Sequence, residues 1–142
     1  MALEDDNMQL ARRIYDEVFT GGDLALLDEI LAEDVVEHEA GLGVTPDRDG
    51  VKQFFAQTRA AFPDLKAEVH DMLASGDRVV ARVRFSGTHR GEFAGIPATN
   101  RTVGVEAIDI LRVQDGKVAE HWGVMDQLAM LQQLGVVQTP GG

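Results

Sequence analysis

Ionisable side chains set among apolar neighbours are what this chain has to offer chemically. Asp126 closes the run His121-Trp122-Gly123-Val124-Met125-Asp126. Strict alternation puts it on one strand face with Val118, Glu120, Trp122 and Val124. A carboxyl group on a buried strand face is costly unless it is paired or used. Two uses are open. Asp126 can cap the helical pattern that starts at Gln127-Leu128, or it can be a pocket acid whose pKa is raised by apolar walls. A carboxyl of the second kind can remove a proton beside a carbonyl and return one to an oxygen that gains charge. Asp109, between Ile108 and Ile110, is a second unexpected acid. It is either a structural hydrogen-bonding group or part of the same site.

The other polar candidates divide in the same way. His38, inside Glu37-His38-Glu39, is a solvated strand end or a pocket residue. His121 has the opposite parity to Asp126, so it joins the pocket only if a bulge intervenes or if the other strand face is the inner one. Trp122 is core or pocket wall, and its indole N–H needs a partner. Tyr15 lies on the apolar face of the first helix, ring inward, with a hydroxyl that can reach a cavity. Arg82 shares a strand face with Arg84; turned inward, it would need Asp109 or Asp126 as its carboxylate. His89, in Gly87-Thr88-His89-Arg90-Gly91, fits a turn-fixing role, and His70 has no evident partner. Four dispersed histidines without ligand spacing, and no cysteine, give no zinc signature. No glycine-rich phosphate loop follows a strand. Neither a metal nor another cofactor is expected.

The elements that must position these groups follow from periodicity. A helical stripe of Met8, Ala11, Ile14, Tyr15, Val18 and Phe19 ends at Gly21-Gly22. Asp23 suits the N-cap of a second helix carrying Leu24, Leu27, Ile30 and Leu31. Asp34 to Glu39 reads as a short strand, Gly41 to Gly50 as a flexible rim or lid, and Val51 to Phe62 as a third helix closed by Pro63. Period two then takes over, with strands over Lys66–Leu73, Arg78–His89, Thr102–Val113 and Lys117–Asp126. Asp115-Gly116 is a hairpin turn, because glycine supplies positive φ. The last helix begins near Leu128, and Gly135 stops it.

Three helices followed by a four-strand meander, with one early strand, define an α+β fold. A curved, mostly antiparallel sheet wrapped around the three N-terminal helices makes a cone with an internal pocket. The last two strands are apolar on both faces, which points to a homodimer formed through the outer sheet face. With 142 residues, residues 1–142 are expected to be a single domain. A net charge of −11 argues against nucleic acid and anionic membrane as partners, since both require a basic footprint. Without an apolar span, a leader pattern or cysteine, the cytoplasm is the expected compartment.

The order of elements resembles the cone-shaped fold of nuclear transport factor two, scytalone dehydratase and ketosteroid isomerase. Within that superfamily the chain most resembles the SnoaL-like polyketide cyclases, also called ester cyclases. The resemblance is carried by Gly87-Thr88-His89-Arg90-Gly91-Glu92-Phe93 and Gly95-Ile96-Pro97-Ala98-Thr99. Arg112 with Asp115-Gly116-Lys117, Glu120-His121-Trp122 with Asp126, and Gln133-Leu134-Gly135 complete it. It covers nearly all of the chain, but the fold hosts several chemistries.

The resemblance implies an intramolecular aldol ring closure without metal or cofactor, on a small hydrophobic molecule bearing a carbonyl. It also implies that Asp126 is the acid/base and that His38 faces the cavity as its catalytic partner. Tyr15, Arg82, Asp109, His121 and Trp122 are the expected substrate-binding residues. Two other readings stay open: an isomerase or hydrolase on the same cone, or a non-catalytic binder of a hydrophobic metabolite. An accessible carboxyl in a closed pocket favours an enzyme, whereas an Asp126 spent as a helix cap favours a binder.

Overall fold

Helix α1 (Ala2–Arg13) runs without a break into a wider, π-wound stretch, Ile14–Thr20. A computed structural model describes residues 2–39 and 44–138 of the chain. Ala11, Ile14, Tyr15 and Val18 form the buried stripe of this long element, as their spacing requires. The wider winding is visible in Gly21 N–H, which donates to Asp16 O at 3.0 Å. Such windings are rare and tend to occur at functional sites, and this one carries Tyr15.

The second helix is shorter than its pattern suggests. Leu24–Leu26 is a 3-10 turn, α2 (Leu27–Ile30) adds one α turn, and the Asp23 side chain caps nothing. Leu31 already has extended backbone, so β1 spans Leu31–Glu37. The expected rim lies partly outside the described residues, which omit Gly41 to Gly43; from Val44 the chain leads into α3 (Arg48–Ala61). Asp47 caps α3 by accepting from Gly50 N–H at 2.9 Å, and Pro63 follows its end.

Strands β2 (Lys66–Ser75), β3 (Arg78–Thr88), β4 (Thr102–Gln114) and β5 (Lys117–Met125) form the antiparallel meander. Strand β1 pairs in parallel with β5, giving the order β1-β5-β4-β3-β2 in one open sheet. Helix α4 (Gln127–Leu134) ends at Gly135, φ 83°. The fold is therefore the expected α+β arrangement of helices against a mostly antiparallel sheet.

The inner face of the sheet is set by alternation. Val79, Ala81 and Val83 on β3 are buried, as are Val103, Val105, Ala107, Asp109, Leu111 and Val113 on β4. The intervening Arg82, Arg84, Glu106 and Ile108 point outward. The Asp115-Gly116 turn has φ of 52° and 74° at its two residues, as a tight hairpin requires.

Just beyond the turn the β4–β5 register slips by one residue. Val113 pairs with Val118 but Arg112 with Glu120, leaving Ala119 as the extra residue. Val118 and Ala119 are consequently both buried, and His121, Gly123 and Met125 then follow the inner face. The bulge corrects the strict alternation expected from Val118 to Asp126. It turns Glu120 and Trp122 out and His121 in. Among the described residues, no helix is long and apolar enough to cross a membrane.

Candidate active site

Between the helices and the inner sheet face lies a cavity of about 140 Å³. Most of its wall is apolar: Phe19, Phe54, Phe55, Phe62, Phe85 and Phe93 contribute rings, with Leu27, Val105, Met125 and Met130 among the aliphatic groups. Thr58 and Ser86 also line it, and Tyr15, Glu37, Glu39, Asp109 and His121 converge on its wall as one polar cluster. An apolar chamber with one convergent polar cluster is the usual form of a small-molecule site.

Asp109 is the centre of this cluster. It is buried, with 8% of its surface exposed, and it accepts two hydrogen bonds. The Tyr15 hydroxyl donates to Oδ2 at 2.7 Å, and His121 Nε2 lies 2.9 Å from Oδ1. On its other side the His121 ring places Nδ1 2.6 and 2.8 Å from the two oxygens of Glu37.

Burial alone would lower the His121 pKa. The bonds to Asp109 and Glu37, with their negative charges, outweigh burial and raise it to about 10. The ring is therefore an imidazolium at neutral pH, donating from both nitrogens. Burial and the charge of Asp109 raise the Tyr15 pKa well above its ordinary value, so Tyr15 remains a neutral donor.

Glu39 completes the group. Its backbone N–H donates to Glu37 Oε1 at 2.8 Å. Glu39 is exposed as a residue, but partial burial of its carboxyl group pushes its pKa up, His121 pulls it down, and the charges of Asp109 and Glu37 push it up again; the net change is upward.

Some expected site residues fall elsewhere. Asp126 does not line the cavity. It is exposed and caps α4, accepting from Ala129 N–H at 3.0 Å, beside a shallow hollow on the outer face. The β5 bulge has carried it away from the pocket. His38 is also outside: its ring stacks on Trp122 at 4.9 Å and bonds Glu120 Oε2 at 2.6 Å. Trp122 is not pocket wall but part of this outer stack, with the Arg78 guanidinium 4.8 Å from its ring. Arg82 points outward and pairs with Asp71 at 2.7 Å. That exposed pair adds little stability.

The structure brings Tyr15, Asp109 and His121 together on the cavity wall. Glu37 and Glu39 were missed, although parity offered a signal. They alternate with buried Val35, while His38 alternates with exposed Val36. His89 behaves as the loop sequence suggests: it is fully buried and its Nδ1 accepts from Thr99 N–H at 3.2 Å.

The expectation that no metal-ligand cluster exists needs correction. Glu39, Asp109 and His121 each offer a donor atom, and these atoms lie within 4.8 Å of one another. Chain spacing could not reveal this, because the three come from separate strands and segments. With its pKa raised, the ring donates from both nitrogens to carboxylates, and a cation would have to displace the Nε2 proton. The arrangement fits proton transfer with no rearrangement.

With this geometry in view, the likeness to known proteins is informative. The aklanonic acid methyl ester cyclase DauD of Streptomyces sp. (strain C5) is 30% identical over 136 residues, covering 90% of this chain and 81% of that protein. The structure of TsrD from Streptomyces laurentii superposes with a TM-score of 0.85 at 31% identity, covering 94% of this chain and 97% of that one. IdmH from Streptomyces antibioticus gives 0.79 at 36% identity, with coverage of 91% and 98%. The family model of the SnoaL-like polyketide cyclases matches residues 9–134, nearly the whole described fold including every polar residue of the cavity, and the chain belongs to that family.

Proposed function

We propose that this protein is a cyclase-type enzyme that closes a carbon–carbon bond within one small, apolar, carbonyl-bearing molecule, using Asp109 as its acid/base. The observation that carries this reading is the buried Asp109 carboxylate on the wall of an otherwise apolar cavity. A carboxylate so placed can remove a proton from carbon beside a carbonyl, and apolar walls keep competing water away. The carbanion equivalent then attacks a second carbonyl of the same molecule. Its C=O electrons move to oxygen, which needs a proton.

Tyr15 and the His121 imidazolium hold Asp109 in one orientation, and Glu37 fixes the imidazolium. Asp126 is spent as a cap, which on its own would favour a binding protein; Asp109 supplies the accessible pocket carboxyl that favours an enzyme.

Aklanonic acid methyl ester, named for the relative above, is the first substrate to try. Ring closure leaves its mass unchanged, so product is followed by chromatographic retention. Asp109→Asn keeps the shape and removes the base, and turnover is expected to fall by about 10²–10⁴-fold. Equal turnover by wild type and Asp109→Asn would refute the assignment.

The outer sheet face supports a second element of the reading, a homodimer. Ile108 is 51% exposed and Val124 75%, and both lie on the face away from the helices. Covering them with the same face of another copy would remove this cross-strand apolar pair from water.

A further inference from the structure

Glu39 is the one carboxylate of the cluster that the proposed reaction has not used. Three observations show that its place is built. Its backbone N–H is held by Glu37 Oε1 at 2.8 Å, the same carboxylate that grips His121. The preceding His38 N–H donates to His121 O at 3.0 Å, which ties this segment to the edge of β5. Its carboxyl group also sits in a notch above Gly123: a Cβ built on Gly123 would overlap Glu39 Oε2 and lie 2.6 Å from Asp109 Oδ1. Gly123 has ordinary backbone angles, so it is required for space and not for a turn. Among the described residues, the Glu39 carboxyl group accepts no hydrogen bond, whereas Asp109 accepts two. The two carboxyl groups lie within 4.8 Å, close enough to serve adjacent atoms of one bound molecule.

We propose that Glu39 is a second catalytic carboxyl group, the acid that protonates the oxygen as Asp109 deprotonates carbon, and that Gly123 is the gap that admits it. This rests on Asp109 being the base. In the step, the C–H bond breaks and its proton goes to Asp109. The freed electron pair forms the new C–C bond, the acceptor C=O π pair moves to oxygen, and that oxygen takes the proton of Glu39. Asp109 ends neutral and Glu39 ionised, and a proton passing between the two restores the starting state. Different surroundings, with two donors on Asp109 and, among the described residues, none on Glu39, divide the acid and base roles between them.

The test does not need the native substrate. The probe is 2-tetralone in D₂O, whose exchange of α-hydrogen for deuterium is followed by NMR from pH 4 to 10. In parallel, the protein with 13C-labelled glutamate carboxyl groups is titrated, and the Glu39 signal is identified by its loss in Glu39→Gln. Wild type is expected to show a bell-shaped exchange profile, with the alkaline limb coinciding with Glu39 ionisation. Glu39→Gln should lose that limb and at least about tenfold in rate at neutral pH. Gly123→Ala, which closes the notch, should bring the Glu39 midpoint back toward that of a solvated glutamate.

If Asp109→Asn exchanges as fast as wild type, the underlying base assignment fails. If Asp109→Asn is slow while Glu39→Gln keeps the wild-type rate and profile, the Glu39 proposal alone is overturned. Should wild type exchange no deuterium, the titration decides: a Glu39 midpoint in the solvated range, unmoved by Asp109→Asn, overturns it as well.

Discussion

The doubly held imidazolium makes stability depend on alkaline pH in a way that can be worked out in advance. A histidine whose folded pKa lies above its unfolded value takes up a proton on folding. Its contribution is complete below the unfolded value and is lost as pH rises through the folded one. For His121 the ordinary value is 6.5 and the folded one about 10. Between them the native state holds one more proton than the unfolded chain, and stability falls by about 1.4 kcal/mol per pH unit. Across the full interval this amounts to on the order of 5 kcal/mol, a large part of the stability of an ordinary domain. The His121 side chain is only 20% exposed, so solvent screening discounts the figure modestly. Tyr15, whose folded pKa is also raised, acts in the same direction above pH 10. Urea denaturation at pH 6.5, 8, 9 and 10, with the His121 ring signals followed by NMR, measures both sides of the linkage. Replacing His121 with Gln should flatten most of the slope. A His121 ring titrating near 6.5, or wild-type stability unchanged from pH 7 to 10, would refute the argument.

Other outcomes follow from the same geometry. Asp126→Asn should leave both turnover and stability near wild type, because Asn caps as well as Asp, whereas Asp126→Ala should cost about 1 kcal/mol in chemical denaturation. Tyr15→Phe removes the donor to Asp109 Oδ2 and should destabilise by about 1–3 kcal/mol, with a larger proportional loss in kcat than in KM when turnover is measured. Wild type is expected to sediment as a dimer, and Val124→Arg, placed on the most exposed apolar position of the outer face, as a monomer. Treatment with EDTA should leave turnover unchanged, since the imidazole proton already occupies the position a cation would need.

The fold was largely legible because its signals are local. The change from helical to alternating periodicity near Pro63, the Asp115-Gly116 turn and the Gly135 stop all act within a few residues, and the structure shows each of them. The second helix was overread: Leu24 to Leu31 has helical spacing, but tertiary pairing draws Leu31 into β1. In the site, Tyr15, Asp109 and His121 were legible as types out of place among apolar neighbours. Which of His121 and Asp126 faces inward depended on one inserted residue, Ala119. A bulge leaves no mark in a hydrophobicity pattern when both residues at it are small and apolar. Glu37 and Glu39 were hidden for another reason: a charged strand end resembles ordinary solvated surface until a parallel partner strand is laid beside it.

That partnership has a consequence for how the active protein comes into being. The Tyr15–Asp109 bond joins residues 94 positions apart, and the His121–Glu37 bond joins residues 84 apart. These links span most of the chain, so no short fragment of it can carry the working arrangement. Closing such distant contacts is slow compared with forming a hairpin. Nascent β4 and β5 can pair through their own turn while Asp109 and His121 still face water. The partners of these two side chains, Tyr15 and Glu37, come from the N-terminal helix and β1. The polar cluster is thus complete only where the N-terminal helix, β1, β4 and β5 are all in place.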